Sequence, residues 1–270
     1  MQKFCFLIYL FSVCLAAKCQ GVYLYEPGFL KSDGYLKNTG PFSSIGNTAS
    51  IAKCTRFSAG AYGAHPYAGS GLQAFAIGLA IPAGKSGFHF RLSQLNNDSF
   101  AEFKAGIGYA RSLSRKWDIG IAFNYFSIAL QGYGSSGAVA IDAGVVYHLS
   151  EGLRLGVQIG NPTRASFPKM EHEKLASSYG AGVGYDLSDK LFITAQIEKP
   201  TSTPISLLAS IEYKFTDKLL AKGGLTTTDG GYFFGTGVHL QNIRLDALVS
   251  FHSRLGITPA LVITYQKSEN

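Results

Sequence analysis

A few histidine, acidic and serine residues near the C-terminus come closest to a catalytic site in type and spacing. His252 and Ser253 are adjacent, and His239 and Asp246 share one face of neighbouring predicted strands with His252. A nucleophile needs a base within hydrogen-bond reach, and a third group must orient that base. No Gly-x-Ser-x-Gly motif accompanies these residues, and no Cys–His pair or His-x-x-x-His spacing offers ligands to a metal. The sequence therefore predicts a protein that is not an enzyme and uses no metal or other cofactor.

The composition excludes several broad classes of protein. Charged residues make up 15% of the 270-residue chain, apolar residues make up 46%, and 32 residues are glycine. A chain with little charge and many aromatic residues is not intrinsically disordered, and this much glycine weakens a helical bundle. The formal net charge is +7, but Lys and Arg are scattered and form no basic block, which argues against a nucleic-acid partner.

The first residues have the pattern of a secretory signal peptide. Lys3 precedes an apolar run over residues 4–17, and the small residue Cys19 marks a cleavage site before Gln20. The run is shorter than the ~20 residues of a membrane-spanning helix. The alternative, acylation of Cys19, is disfavoured by Lys18, which stands where a small residue is expected. The sequence therefore predicts an exported chain.

From about residue 56 to residue 266, apolar residues alternate with small or polar ones. In residues 117–125 the odd positions are Trp, Ile, Ile, Phe and Tyr, whereas the even positions are Asp, Gly, Ala and Asn. Successive side chains of a strand point to opposite faces, so this pattern predicts strands with one apolar face. Fourteen strands are predicted, at 56–63, 71–81, 87–95, 101–111, 117–130, 138–149, 152–160, 179–187, 190–199, 205–215, 218–227, 232–240, 242–251 and 257–266.

A soluble β-sandwich also shows this alternation, but its outer face carries charged residues. Here the second face is mostly Gly, Ala, Ser and Thr, which suits an enclosed lumen. The segment lengths match the ~9–11 residues of a tilted membrane-spanning strand. The predicted fold class is therefore all-β: a transmembrane antiparallel β-barrel of about 14 strands in the outer membrane of a Gram-negative bacterium, with membrane lipid as a partner.

The turns and the aromatic residues favour the same interpretation. Very short connections occur at every second predicted junction, and the alternate ones are mostly longer, the longest being 161–178. Outer-membrane barrels have short periplasmic turns and longer outer loops. Aromatic rings are stabilised at the headgroup level, and apolar-face aromatics lie near the strand ends at Tyr109, Trp117, Tyr147, Tyr185, Tyr213, Phe215, Tyr125, Tyr179, Tyr232 and Phe251.

Fourteen strands lie between the eight-stranded barrels that their own side chains fill and the sixteen-stranded porins that hold a water channel, so either something occupies the lumen or the lumen conducts. Residues 20–53 precede the first strand and show no alternation. We expect them to fold inward as a plug containing a short helix capped by Asn47 or Ser43, with Asn47 and Ala49 as candidate contact residues. The alternative is a loose periplasmic tail. The predicted divisions are thus a signal peptide over 1–19, a plug segment over 20–53 and a barrel over 54–270.

Glycines and ionisable residues share the inward face. Glycine in a strand often marks the close approach of another backbone or a ligand, so Gly180, Gly182 and Gly184 are candidates for a small-molecule path beside the plug. Inward ionisable residues of both signs predict ion-paired ladders rather than a pore of one sign. The candidate residues of the lumen are Arg154, Asp186, Glu198, Arg244, Asp246 and His252.

Four segments carry a resemblance to a known family: 42–52, 180–188, 197–199 and 251–256. Together with the signal peptide and the inward N-terminal segment, they resemble the FadL class of long-chain fatty acid transporters. In detail they resemble its shorter relatives in Bacteroidetes-type bacteria, which include the PorV and PorQ accessory proteins of type IX secretion. The plug of that class often carries Asn-Pro-Ala, and Asn47-Thr48-Ala49 stands at that place here.

The resemblance implies one of two functions. The first is the passage or binding of small hydrophobic compounds by way of the barrel wall. The second is a non-conducting accessory barrel that holds a secretion-system or envelope partner. Composition and spacing leave both open.

Overall fold

The computed structural model of the chain describes residues 26–37, 39–168, 174–227 and 231–268. The predicted signal peptide and the first six residues of the predicted plug segment lie outside them. Fourteen antiparallel strands form one closed barrel, in which each strand pairs with its sequence neighbours and β1 pairs with β14. The strands are β1 Ser58–Ala64, β2 Gln73–Ala83, β3 Ser86–Asn96, β4 Phe100–Ser112, β5 Trp117–Leu130, β6 Gly134–His148, β7 Leu153–Gly160, β8 Ser178–Asp186, β9 Leu191–Pro200, β10 Ser206–Lys214, β11 Leu219–Thr226, β12 Gly231–Leu240, β13 Ile243–His252 and β14 Gly256–Gln266.

The fourteen predicted strands and their antiparallel closure are therefore confirmed. The largest difference is at β6, which begins at Gly134 instead of residue 138. Residues 134–137 are Gly, Ser, Ser and Gly, so they carry no apolar alternation, and only pairing with β5 shows that they are extended. Among the described residues, no helix has the length and hydropathy needed to cross a membrane.

The period-two pattern separates two faces of the wall. On β5, Phe123 is half exposed, whereas its neighbours Ala122 and Asn124 are buried. The outward face is a continuous apolar surface, and aromatic pairs lie at its ends: the rings of Trp117 and Tyr147 have centroids 4.6 Å apart, and those of Tyr232 and Phe251 are 5.1 Å apart. Such a surface matches the hydrocarbon of a bilayer.

The connections differ less between the two ends than predicted. At one end they are short throughout, as expected, at 84–85, 113–116, 149–152, 187–190, 215–218 and 241–242. At the other end only 65–72 and 161–177 are long, whereas 97–99, 131–133 and 253–255 have three residues each. The expected alternation of short and long connections therefore holds at only part of the second end.

The described part of the N-terminal segment, residues 26–54 without Asn38, consists of short helical turns. These are α1 at Gly28–Lys31 and 3₁₀ helices at Ser32–Tyr35, Ser43–Ile45 and Thr48–Lys53. Asn47 caps the last of them, because its Oδ1 accepts a hydrogen bond from the backbone N–H of Ala49 at 2.9 Å. The expected short helix thus exists, and Asn47 rather than Ser43 caps it.

This segment is buried against inward-facing positions of the wall. Asn47, Ala49 and Ile51 have no exposed surface. Glycine permits the approach: a Cβ atom at Gly120 would lie 2.6 Å from the backbone nitrogen of Ala49, closer than van der Waals contact allows. Elsewhere around the barrel, the segment contributes large apolar residues to a cluster with β1, β2 and β10–β14.

Candidate functional site

The wall is interrupted between β6 and β7. Only Asp142 to His148 of β6 pair with β7, and the last pair is Asp142 with Gly160. Residues 134–141 of β6 extend beyond it and, within the described part of the chain, form no strand pairing on that side. One backbone bond, from Asn161 N–H to Ile141 O at 3.0 Å, marks the point where the chain leaves the wall.

The described parts of the connection after β7, residues 161–168 and 174–177, lie beside this interruption. Asn161 holds both of its ends: its Nδ2 donates to Leu175 O at 2.8 Å, and its backbone oxygen accepts from Ser177 Oγ at 2.6 Å. Phe167 and Leu175 of the connection are buried against an apolar cluster from β5 and β6, formed by Phe126, Ile128, Ala138 and Ala140. The interruption is thus closed by side-chain packing instead of a strand ladder.

A cavity of about 90 Å³, here called the polar cavity, lies beside the interruption. Asp142, Gly160, Asn161, Leu175 and Ser178 line it on the wall side, and residues of the N-terminal segment line it opposite. The lining includes the apolar side chain of Phe126 together with amides and charged groups, such as Gln158, Gln196 and Glu198. A lining of this mixed type is common for small-molecule sites.

Glu26 is the central anion of this cavity. Its carboxylate accepts a hydrogen bond from Lys104 Nζ at 2.8 Å and lies 3.2 Å from Arg91 Nη2. Burial opposes ionisation of Glu26, but the charges of Lys104, Arg91 and Lys31 outweigh it and lower the pKa of Glu26 to about 2. Glu26 is therefore a carboxylate at neutral pH, and its charge offsets those of two buried cations.

Tyr35 and Asn47 bring the N-terminal segment against the glycine-rich strands. A Cβ atom at Gly182 would lie only 2.5 Å from Cε2 of the Tyr35 ring. A Cβ atom at Gly184 would collide with the backbone oxygen of Tyr35. Asn47 Nδ2 donates to Val157 O at 3.1 Å. Gly182 and Gly184 are therefore filled by the segment itself.

Gly180 differs from its two neighbours in the motif. It lines the polar cavity, and a Cβ there would meet only backbone oxygens at 3.7 and 3.9 Å. Of the three candidate glycines, Gly180 alone borders open space, and β8 is paired with β7 and β9 along its length. Strand β8 is therefore not interrupted at these glycines.

The candidate ionisable residues form separate contacts. Arg154 makes a two-bond pair with Asp186, including Nη1 to Oδ2 at 3.0 Å, and its Nε donates to Tyr35 O at 2.8 Å. Glu198 pairs with Lys31 at 2.8 Å, and Asp246 pairs with Arg244 at 2.8 Å. Most of these contacts join the wall to the N-terminal segment or join neighbouring strands. Ion pairs thus occur along the inner face, as the sequence predicted.

His252 has a different role. Its Nδ1 accepts from the backbone N–H groups of Arg254 and Leu255 at 3.1 and 3.0 Å, so it caps the turn after β13. Asp246 lies six residues away on the same strand, which is roughly 20 Å. The structure therefore does not bring His252 together with His239 and Asp246. Among the described residues, no group of three His, Cys, Asp or Glu side chains is placed to hold a metal ion.

A second cavity of about 290 Å³, here called the mixed cavity, lies between the N-terminal segment and β10–β14. Phe29, Phe42 and Leu248 line it, together with the Arg244–Asp246 pair. Lys222 donates to Phe29 O at 2.8 Å and pairs with Asp33. The mixed cavity is therefore about three times as large as the polar cavity.

Three residues that position the site were absent from the sequence-based candidates: Glu26, Tyr35 and Asn161. The Asn161-Pro162 dipeptide is a turn signal that could have marked the start of the inward connection. Glu26 and Tyr35 lie in a segment without periodicity, where no local pattern indicates which side chains face a binding cavity.

Several solved structures share the fold of this chain. The Pseudomonas putida toluene transporter TodX matches with a TM-score of 0.67 at 11% identity, over 93% of this chain and 100% of that chain. The Ralstonia pickettii toluene transporter TbuX matches with a TM-score of 0.60 at 12% identity, over 94% and 100%. A Pseudomonas aeruginosa FadL homologue matches with a TM-score of 0.56 at 12% identity, over 87% and 96%.

At 11–12% identity, this structural similarity shows the fold alone. The chain has the closed 14-stranded barrel fold of FadL-type channels. No family model matches the chain, and no curated protein matches its sequence. The finer resemblance to PorV and PorQ stays a prediction.

Proposed function

We propose that the protein is an outer-membrane channel that passes or binds small hydrophobic compounds, with residues 20–53 as a plug in its lumen. The observation that carries the proposal is the unpaired stretch of β6, residues 134–141, beside the polar cavity. The apolar outer face and its aromatic ends support a membrane location. The similar structures that transport toluene support hydrophobic compounds as the substrate class.

The interruption offers a route from the lipid to the lumen. A compound dissolved in the outer leaflet would meet side chains of the connection, such as Phe167 and Leu175, instead of a continuous strand ladder between β6 and β7. Displacement of Phe167 and Leu175 would expose an apolar surface of Phe126, Ile128 and Ala138. Because this surface excludes water, it favours an apolar guest over an ion.

The contacts of residues 26–37 and 39–54 support the plug. They touch β3 to β8 through glycines and β10 to β14 through apolar side chains, so they span the lumen between opposite walls. Passage then has to use the space that the segment leaves, which is the polar cavity and the mixed cavity. A loose periplasmic tail would not make these contacts.

Filling the polar cavity tests the route. Gly180→Leu places a side chain in open space, so it should fold and reduce uptake of labelled toluene several-fold in cells whose lipopolysaccharide slows unassisted entry. Gly63→Leu is the matched control, because Gly63 also has open space around a new Cβ but lies on the outward face. Equal uptake by the two variants would contradict a route through this cavity.

Removing a side chain that packs beside the unpaired part of β6 tests whether compounds enter there. Phe167→Ala should raise uptake several-fold because it removes the ring that closes the wall. Phe233→Ala is the matched control: Phe233 is equally buried, at 2% exposure, but packs in the cluster with Phe29. If wild type and Phe167→Ala both admit no compound, the non-conducting accessory barrel becomes the better hypothesis.

A further inference from the structure

The end of the barrel that carries the short turns has a strong excess of positive charge. Nine exposed cations of the described chain lie there: Lys37, Lys53, Lys85, Arg111, Arg115, Lys116, Lys190, Lys218 and Lys267. Three exposed acids accompany them: Glu151, Asp189 and Asp217. Among the described residues, none of the nine cations belongs to an ion pair. The positive field at this end is therefore largely uncompensated.

Four of these cations surround one depression, here called the mouth depression, with a volume of about 600 Å³. Lys37 and Lys53 come from the N-terminal segment, and Arg115 and Lys116 come from the turn after β4. Lys53 Nζ donates to Arg115 O at 3.4 Å, which holds the two elements together. The volume lies within the range of ~300–1,000 Å³ that is usual for ligand sites.

The other residues of the mouth depression leave its charge positive. Its floor includes the apolar side chains of Leu36, Val146 and Leu149. Asp118 is buried and hydrogen-bonded to His148 at 2.5 Å, so its charge is engaged within the wall. Glu151 is the remaining acid of the lining. The depression therefore combines an apolar floor with a cationic rim.

The position of these cations separates two possible partners. The outward rings of Trp117 and Tyr147 mark where lipid headgroups meet the wall. Lys37 and Lys53 belong to the N-terminal segment and thus lie inside the ring of turns, away from that surface. Anionic lipid would contact cations of the turns, such as Lys116, Lys190 and Lys218, but not Lys37 and Lys53. The mouth depression faces the aqueous side.

We propose that the mouth depression binds an acidic segment of a soluble partner protein, whose carboxylates pair with Lys37, Lys53, Arg115 and Lys116. Complementary charge steers such a segment to the mouth and fixes its register. This inference rests on the proposed function only for the periplasmic location of the face. It concerns docking and does not require that the lumen conduct.

The test uses the full-length protein in nanodiscs of neutral phosphatidylcholine and a fluorescein-labelled peptide of alternating Glu and Gly. We expect saturable binding by fluorescence anisotropy, weakened by salt, and none for a Lys–Gly peptide. The triple variant Lys53→Gln, Arg115→Gln, Lys116→Gln should weaken binding about tenfold. The matched triple variant Lys85→Gln, Lys190→Gln, Lys218→Gln removes the same charge outside the depression and should weaken it no more than about twofold.

Three results would overturn the proposal. The wild type could bind no acidic peptide, or the two triple variants could weaken binding equally, which would mean a diffuse field without a site. Peptide binding could also vanish in phosphatidylglycerol nanodiscs, which would identify lipid headgroups as the partner. Heat-modifiable gel migration confirms that each variant is folded. Failure of the toluene uptake test leaves this result unaffected, so the two proposals fail separately.

Discussion

The N-terminal segment contacts the two sides of the barrel in different ways. On the side of β3 to β9 it approaches glycines closely and makes polar bonds, such as Arg154 Nε to Tyr35 O at 2.8 Å. On the side of β10 to β14 it presents Phe29 and Phe42 to an apolar cluster and leaves the mixed cavity of about 290 Å³. Lys222 adds a pair with Asp33 and a bond to Phe29 O on the second side, and the apolar packing around them is less directional than the close fit on the first side.

The difference indicates which contacts locate the segment and which allow it to shift. Glycine contacts and buried ion pairs have one good arrangement, whereas apolar side chains beside free volume can repack. Movement of the segment during passage would therefore start on the side of β10 to β14. Paired substitutions on the two sides test this difference.

The largest expected effect is at the Arg154–Asp186 pair. Arg154→Met leaves a buried carboxylate without its partner and should lower the free energy of unfolding by about 3–5 kcal/mol. Arg244→Met also leaves a buried carboxylate, that of Asp246, without its partner, but the Arg244 side chain is 26% exposed and water can take its place, so the loss should be smaller, about 2 kcal/mol. Urea titration in lipid vesicles measures both, and equal losses would remove the distinction between the two sides.

The next largest effect is expected for a larger side chain on the side of β3 to β9, where the segment approaches glycines closely. Gly184→Val forces a side chain against the Tyr35 backbone and should cost about 1–3 kcal/mol. It should also make residues 26–53 accessible to protease, because the segment can no longer reach β8. Gly180→Val serves as control, since its Cβ meets no atom closer than 3.7 Å. An unchanged protease pattern in the Gly184 variant would contradict the close fit.

Loss of the Asn47 side chain should have a smaller effect. Asn47→Ala removes the cap on Ala49 and the bond to Val157 O and should cost about 1 kcal/mol. Asn97 also caps a turn, accepting from Ser99 and Phe100, but it is exposed and lies far from the N-terminal segment. Asn97→Ala should leave protease access to residues 26–53 unchanged, whereas Asn47→Ala should increase it.

Acid should lower the free energy of unfolding in a defined pH range, because Glu26 in the polar cavity loses its charge there. The pKa of Glu26 falls from an ordinary 4.5 to about 2, so its carboxylate stabilises the fold above pH 4.5, and this stabilisation is lost as the pH falls towards 2. In Glu26→Gln this pH-dependent contribution is absent. The stability difference between the two proteins should therefore shrink between pH 4.5 and pH 2, and a constant difference would show that Glu26 is not ion-paired.

The smallest effect is expected for a larger side chain on the side of β10 to β14, beside the mixed cavity. Thr264→Leu projects into the mixed cavity and should change the free energy of unfolding by about 0.5 kcal/mol or less. A loss as large as that of Gly184→Val would mean that the two sides fit the segment equally closely.

The local sequence pattern predicted the strands of the barrel wall but only some residues of the candidate site. Strand boundaries agreed to within a few residues because side-chain alternation repeats over every strand and needs no information from elsewhere in the chain. The inward positions of Arg154, Asp186 and Glu198 followed from the same parity. Their partners did not, because Tyr35 and Lys31 lie more than a hundred residues away in a segment without periodicity.

The sequence by itself determined a closed wall with an apolar outer face and a small, mixed-charge inner face, since period two and composition act residue by residue. Only the tertiary structure decided where that wall is interrupted, which glycines are filled and which residues meet at the mouth. Those features depend on the register of β6 against β7 and on the path of the N-terminal segment. Both are set by contacts between distant residues, which no local pattern encodes.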